Sequence, residues 1–166
     1  MKLFLLFVTF IITNFVSAQS NDFSVAQIDR LIKIIDSSKS CIVISGAGPL
    51  IVRNKKTRKI VRKGGFTDDE YFDTITKKLT KYEMAEYADS NEYFAYYFFD
   101  EKLIFFSTIK YAKTASSDNN KLISSGRFYF RNDILILKNE INMSGKIDFY
   151  IKRGHFLLDH YKYPKG

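Results

Sequence analysis

The residues best suited to contact chemistry in this chain are basic. Arg53, Lys55, Lys56, Arg58, Lys59, Arg62 and Lys63 place seven positive charges within eleven residues. Such a density attracts phosphate, sulfate or carboxylate groups, and the attraction weakens with salt. Read as structure alone, the same run is the solvated edge of a hairpin, where Lys also blocks edge-to-edge pairing. Aromatic side chains, which base stacking would need, do not interleave this cluster, so nucleic acid is not the expected partner.

Other residue types do not assemble into a catalytic constellation. Ser45-Gly46-Ala47-Gly48 follows an apolar run, but a third glycine and a following helix are missing, so a structural turn is expected rather than a phosphate cradle. His155, Asp159 and His160 are close in sequence. On a strand the first two would share one face and His160 the other, and zinc needs three or four ligands. Asp68, Asp69, Glu70 and Asp73 lack the glycine and final Glu of a calcium loop, so they read as a helix start or an exposed turn. The single Cys41 lies in an apolar run and reads as a buried thiol. Asn142-Met143-Ser144 matches a glycosylation sequon, which matters only in a eukaryotic host. Tyrosines at 82, 87, 93, 96, 97, 111, 129, 150, 161 and 163 could line a sheet face that binds carbohydrate or protein, or be half-buried sheet residues. No cofactor or metal is expected.

The elements that must carry these residues begin after an export signal. Residues 1–18, MKLFLLFVTFIITNFVSA, have a positive start at Lys2, an apolar centre, and small residues before Gln19. That pattern predicts a signal peptide cleaved at about Ala18-Gln19. The run is too short for a membrane anchor, and no later segment predicts a spanning helix. Loss of Lys2 takes the formal charge from +8 to +7. One cysteine cannot form an internal disulfide. The remainder, 19–166, is long enough for one domain with a core. Its abundance of Tyr, Phe, Ile and Thr favours β structure, and two Pro and eight Gly argue against disorder.

Ser24 and Gln27 form a potential capping box. Val25, Ile28, Leu31, Ile32 and Ile35 share one helical face, predicting a helix over 24–38 packed on a sheet. Cys41–Ile44 predicts a short strand, and Ser45–Pro49 a turn. Leu50–Arg53 and Arg58–Lys63 predict two arms around 54–57, broken by Gly64-Gly65. Residues 66–90 favour extended structure because Thr74, Thr76 and Thr80 are poor helix formers. A helix over 68–80, capped at Thr67, is the alternative.

From Glu92 onward the sequence predicts six strands, at about 92–99, 102–111, 126–131, 134–141, 146–152 and 155–162, forming three hairpins (92–111, 126–141 and 146–162). Tyr96–Phe106 aligns without a gap to Arg127–Leu137, 31 residues on, and that stretch to Asp148–Leu158, 21 further on. The corners fall at Asp100-Glu101, Asn132-Asp133 and Arg153-Gly154. The hairpin 92–111 is apolar on both faces and is therefore expected to be the most covered. Ala112–Lys121 predicts a polar loop. The expected fold is α+β: an N-terminal helix packed on an antiparallel meander of about six to nine strands.

The run Tyr97-Phe98-Phe99-Asp100-Glu101-Lys102-Leu103-Ile104 resembles repeated hairpins of small exported bacterial proteins of unknown function. It is distantly similar to the membrane-occupation-and-recognition-nexus (MORN) hairpin repeats. It departs from the latter in lacking Gly at the first two corners and in its unequal spacing. The resemblance covers about 92–162, implies a β-meander and carries no active site. Together these features lead to the expectation of an exported, periplasmic or secreted binding or structural domain without enzymatic activity. Its expected partner is an envelope protein, an anionic polymer or a membrane surface. The alternatives are an inhibitor or immunity-type protein that blocks a partner enzyme with the 112–121 loop or the 54–57 corner, and a polyanion binder acting through the basic hairpin.

Overall fold

Ser24 starts the first helix as its sequence implies. Its hydroxyl accepts the Gln27 amide at 3.3 Å, and the Gln27 side chain accepts the Ser24 amide at 2.8 Å. The computed structural model describes residues 23–53, 57, 59–113, 121–143 and 147–163. Within them the chain runs α1 (Val25–Ser37), β1 (Cys41–Arg53), β2 (Ile60–Asp73), β3 (Leu79–Tyr87), β4 (Ser90–Phe99), β5 (Lys102–Ala112), β6 (Leu122–Arg131), β7 (Ile134–Ile141) and α2 (Ile147–His160). The strands form one seven-stranded antiparallel sheet in chain order. The α+β meander behind an N-terminal helix is thus observed. The signal segment 1–18 and most of the loop over 112–121 lie outside the described residues.

Three hairpins repeat; two of them, over 92–111 and 126–141, are those expected, and the third is not. Asp100-Glu101 and Asn132-Asp133 are two-residue corners in which all four residues have positive φ, between 48° and 63°. That is the conformation whose twist matches a hairpin. Past each corner the returning strand carries one extra residue. Phe98 pairs with Leu103 and Tyr97 with Phe105, leaving Ile104 as a bulge. Phe130 pairs with Leu135 and Tyr129 with Leu137, leaving Ile136. Phe72 pairs with Leu79 and Tyr71 with Lys81, leaving Thr80. The repeating unit is therefore β2–β3, β4–β5 and β6–β7. The offset between the last two is 32 residues (Phe98 to Phe130, Leu103 to Leu135), one more than the ungapped alignment gives.

The third hairpin, expected over 146–162, does not exist: 147–160 is α2. Alternation of Ile147, Phe149 and Ile151 predicts a strand, yet Phe149 is exposed. The residues that face the sheet are Ile147, Tyr150, Ile151, Leu157, Leu158 and Tyr161, which follow the three-to-four spacing of a helix. Gly154 is no corner either. It lies mid-helix where an added Cβ would stand 3.1 Å from Leu103 and 3.5 Å from Tyr96. The close approach of α2 to β4 and β5 accounts for a residue that disfavours helix interiors.

The region before β4 brings further corrections. Ser45–Pro49 is not a turn but the middle of β1. Gly46 faces Asp68 so closely that a side chain there would collide with the carboxylate. Pro49 is tolerated because β1 is an edge strand with one neighbour. Gly64-Gly65 does not end its run. β2 continues through it with a bulge at Lys63, and Gly64 lies where a Cβ would collide with the Tyr87 carbonyl. Residues 66–90 are extended around a turn at 74–76, so the helical alternative over 68–80 is not adopted.

A helix covers each face of the sheet. Beneath α2 lies the larger core: Phe72, Leu79, Tyr82, Met84, Phe94, Tyr96, Phe98, Leu103, Phe106, Phe128 and Phe130, with Tyr150 and Leu157 from the helix. Beneath α1 lie Tyr97, Ile104, Phe105 and Tyr129 against Ile28, Leu31, Ile32 and Ile35. The bulge lets the adjacent Ile104 and Phe105 both reach the α1 side. Strands β4 and β5 contribute to both cores, as the two-sided apolarity of 92–111 implies.

Polar contacts fix the position of α1. Tyr97 Oη donates to Asp36 at 2.9 Å and Tyr129 Oη to Asp29 at 3.0 Å. Lys81 Nζ reaches Asp36 at 2.7 Å and Glu83 at 2.9 Å, and lies over the Tyr71 and Tyr97 rings at 5.0 and 5.2 Å. Burial opposes the charge of Lys81, but hydrogen bonds to Asp36 and Glu83 outweigh it and raise the ammonium pKa. Asp36→Ala should lower stability by about 1–2 kcal/mol. This is less than for a fully buried pair because the Asp36 side chain is 42% exposed and Lys81 retains Glu83. Urea denaturation checks this; an unchanged midpoint would mean that these contacts do not hold the helix.

Candidate functional site

The basic cluster belongs to the far end of the β1–β2 hairpin. β2 pairs with β3 only from Gly65 to Phe72. From Gly64 back to Ile60 it pairs with β1 alone, through Leu50–Arg53. The two strands therefore continue past the sheet as a two-stranded ribbon. Such a ribbon has no core of its own and is marginal in isolation.

Of the seven basic residues, Lys59 and Lys63 are exposed at this end. The backbones of Arg53 and Arg62 lie in β1 and β2. Lys55, Lys56 and Arg58 lie outside the described residues. Between Asp36 and Asp68 the sequence contains no acidic residue. Interspersed with the charges are exposed aliphatic residues: Ile51 at 55%, Ile60 at 66% and Val61 at 43%. Charge density alone did not single these out. The available signal was their place in the arms, where no partner strand or helix was predicted to cover them. A ribbon that is basic and aliphatic together can meet a surface that is both anionic and apolar beneath.

The remaining sequence candidates are dispersed. His155 and His160 sit on α2 rather than on a strand. His155 Nε2 is 3.9 Å from Asp133, while His160 stacks on Phe156 with centroids 3.7 Å apart. Asp159 accompanies them on the same helix. Cys41 opens β1 and is half-exposed, not buried, with Sγ 3.6 Å from the Ser38 carbonyl. It occupies the edge strand, which only one neighbour covers.

The acidic run splits across the two faces of β2. Asp73 accepts hydrogen bonds from the amides of Ile75 and Thr76 and from the Thr76 hydroxyl, organising the turn before β3 and lowering its own pKa. Asp68 is buried and accepts a hydrogen bond from Tyr82 Oη at 3.0 Å. Burial, then the charge of Asp68, raises the pKa of Glu70 beside it. Among the described residues no group of three His, Cys, Asp or Glu side chains could hold a metal ion.

The tyrosines divide into two sets. Tyr82, Tyr96, Tyr97, Tyr129 and Tyr150 are core residues, and Tyr161 and Tyr163 pack half-buried against that core. Tyr87, Tyr93 and Tyr111 form an edge-to-face ladder with 6.3 Å between successive rings, and the first two are exposed.

No protein-family model, no curated protein and no solved structure matches this chain. Among the described residues no helix is long and apolar enough to cross a membrane.

Proposed function

We propose that the protein is an exported, non-enzymatic binding domain that docks on an anionic lipid surface through the β1–β2 ribbon. The observation that carries this reading is the ribbon itself: paired strands continuing past the sheet, free of acidic residues, with Ile51, Ile60 and Val61 exposed among lysines and arginines. Basic residues near an anionic leaflet contribute about 1 kcal/mol each. Aliphatic side chains add burial at the acyl boundary. A heparin-like polymer or nucleic acid would use the charges but leave the aliphatic residues exposed, which favours the lipid surface. The absence of a catalytic constellation in the sequence supports a binding role, and the leader-like residues 1–18 support export.

Co-sedimentation with vesicles tests this reading. The protein should pellet with vesicles containing phosphatidylglycerol and not with pure phosphatidylcholine, and salt should weaken the binding. Lys59→Ser with Lys63→Ser should reduce affinity by roughly thirtyfold, from about 1 kcal/mol per residue. Ile60→Ser with Val61→Ser should weaken it with the charge unchanged. Equal loss on heparin and vesicles for the lysine pair, with no effect of the aliphatic pair on either, would identify a polymer binder instead. Failure to bind anionic vesicles at low salt would sink the proposal.

A further inference from the structure

The sheet face under α2 holds a polar cleft that the ribbon does not use. Cross-strand rows define it. One row, Tyr82–Tyr96–Phe106–Phe128, is apolar and covered. The next runs Asp68–Met84–Phe94–Thr108–Gly126. The outermost, Phe66–Glu86–Glu92–Lys110, is largely polar. From α2, Arg153 reaches Glu86 at 3.6 Å and Tyr150 Oη reaches Glu92 at 3.5 Å. From β5, Lys110 Nζ meets the other oxygen of Glu92 at 3.1 Å. Together Glu86, Glu92, Phe94, Phe149, Tyr150 and Arg153 line a cleft of about 450 Å³, within the range of small-molecule sites.

One feature suits a ligand better than it suits packing. Glu86 and Glu92 are direct cross-strand partners, a placement that like charges disfavour.

We propose that this cleft binds a neutral polyhydroxylated ligand, a sugar ring or short glycan. Its two carboxylates are balanced by Arg153 and Lys110, so neither an anion nor a cation is favoured. Each charged group uses only part of its hydrogen-bonding capacity on its partner. Hydroxyl groups, which both donate and accept, serve carboxylates and cations together without breaking the ion pairs; a zwitterion would have to break them. Phe149, 59% exposed at the rim, supplies apolar surface for a sugar's C–H face.

The test is a titration of the protein with cellobiose, maltose and N,N′-diacetylchitobiose, followed by amide chemical shifts. At least one should bind saturably, with shifts centred on Glu86, Glu92, Phe94, Tyr150 and Arg153. Phe149→Ala, at an exposed position that the fold does not need, and Glu92→Gln should each weaken binding roughly tenfold. Phe156→Ala, exposed elsewhere on α2, should not. The inference is overturned if none of the three sugars saturates, if Phe149→Ala and Glu92→Gln bind as the unaltered chain does, or if glycine occupies the cleft in their place. None of these results depends on whether the ribbon binds vesicles.

Discussion

Phe106→Ala should cost about 3–5 kcal/mol, a large share of the stability of a chain this size. Phe106 lies on β5, in the middle of the sheet, and is fully buried. Its ring centroid is 4.6 Å from Tyr96, 5.6 Å from Phe128 and 4.7 Å from Tyr150. It therefore joins β4, β6 and α2 at one point. Neighbouring rings cannot collapse into the vacancy, because Tyr96 and Phe128 are held by their strands and Tyr150 by the helix. The loss should include the cavity as well as the transferred surface. Urea denaturation monitored by circular dichroism measures it, with Phe156→Ala as an exposed aromatic comparison. A loss below about 1 kcal/mol would mean that the helix does not pack on the sheet as described.

The second large effect is alkaline unfolding. Burial is the leading cause that pushes the phenols of Tyr71, Tyr97 and Tyr150 up to about 12. It raises those of Tyr82 and Tyr96 as well. In the unfolded chain a tyrosine ionises near pH ~10. Below that value both states keep these protons, so the tyrosines leave stability unchanged. Above it the unfolded chain releases protons that the folded chain retains. Stability must then fall as pH rises, through the folded values near 12. Each retained proton removes up to about 1.4 kcal/mol per pH unit; Tyr71, which is partly exposed, counts for less. Lys81 acts in the same direction, since its raised pKa means that the folded state holds its proton longer. Several such groups acting together should produce cooperative unfolding near pH ~11. Phenolate absorbance and circular dichroism should change in one step. Smooth tyrosine titration near the ordinary value, with secondary structure intact, would contradict this burial pattern.

The cleft under α2 shows why the polar sites were hard to read from sequence. Glu86 and Glu92 are separated by a strand reversal that turns like charges into cross-strand neighbours. Arg153 comes from a segment that sequence alternation assigned to a strand, and as a strand corner it would not have reached Glu86. The basic ribbon was more legible, because its charges are consecutive and need no folding to be seen together. Its exposed aliphatic residues were not, since exposure depends on where β3 stops pairing with β2.

Local chemistry in the sequence was enough to determine α1, the corners at Asp100-Glu101 and Asn132-Asp133, and the depth of the hairpin 92–111. Capping, turn conformation and two-sided apolarity are each decided within a few residues. Tertiary structure alone decided the rest. Ile147–Tyr161 satisfies both a strand and a helix period, and the helix prevails because Gly154 lets it settle against Leu103 and Tyr96. The same holds for Gly46 and Gly64, which read as breaks in the sequence. In the sheet they are points where a neighbouring strand or side chain comes too close for a Cβ, so their role is set by partners distant in the chain.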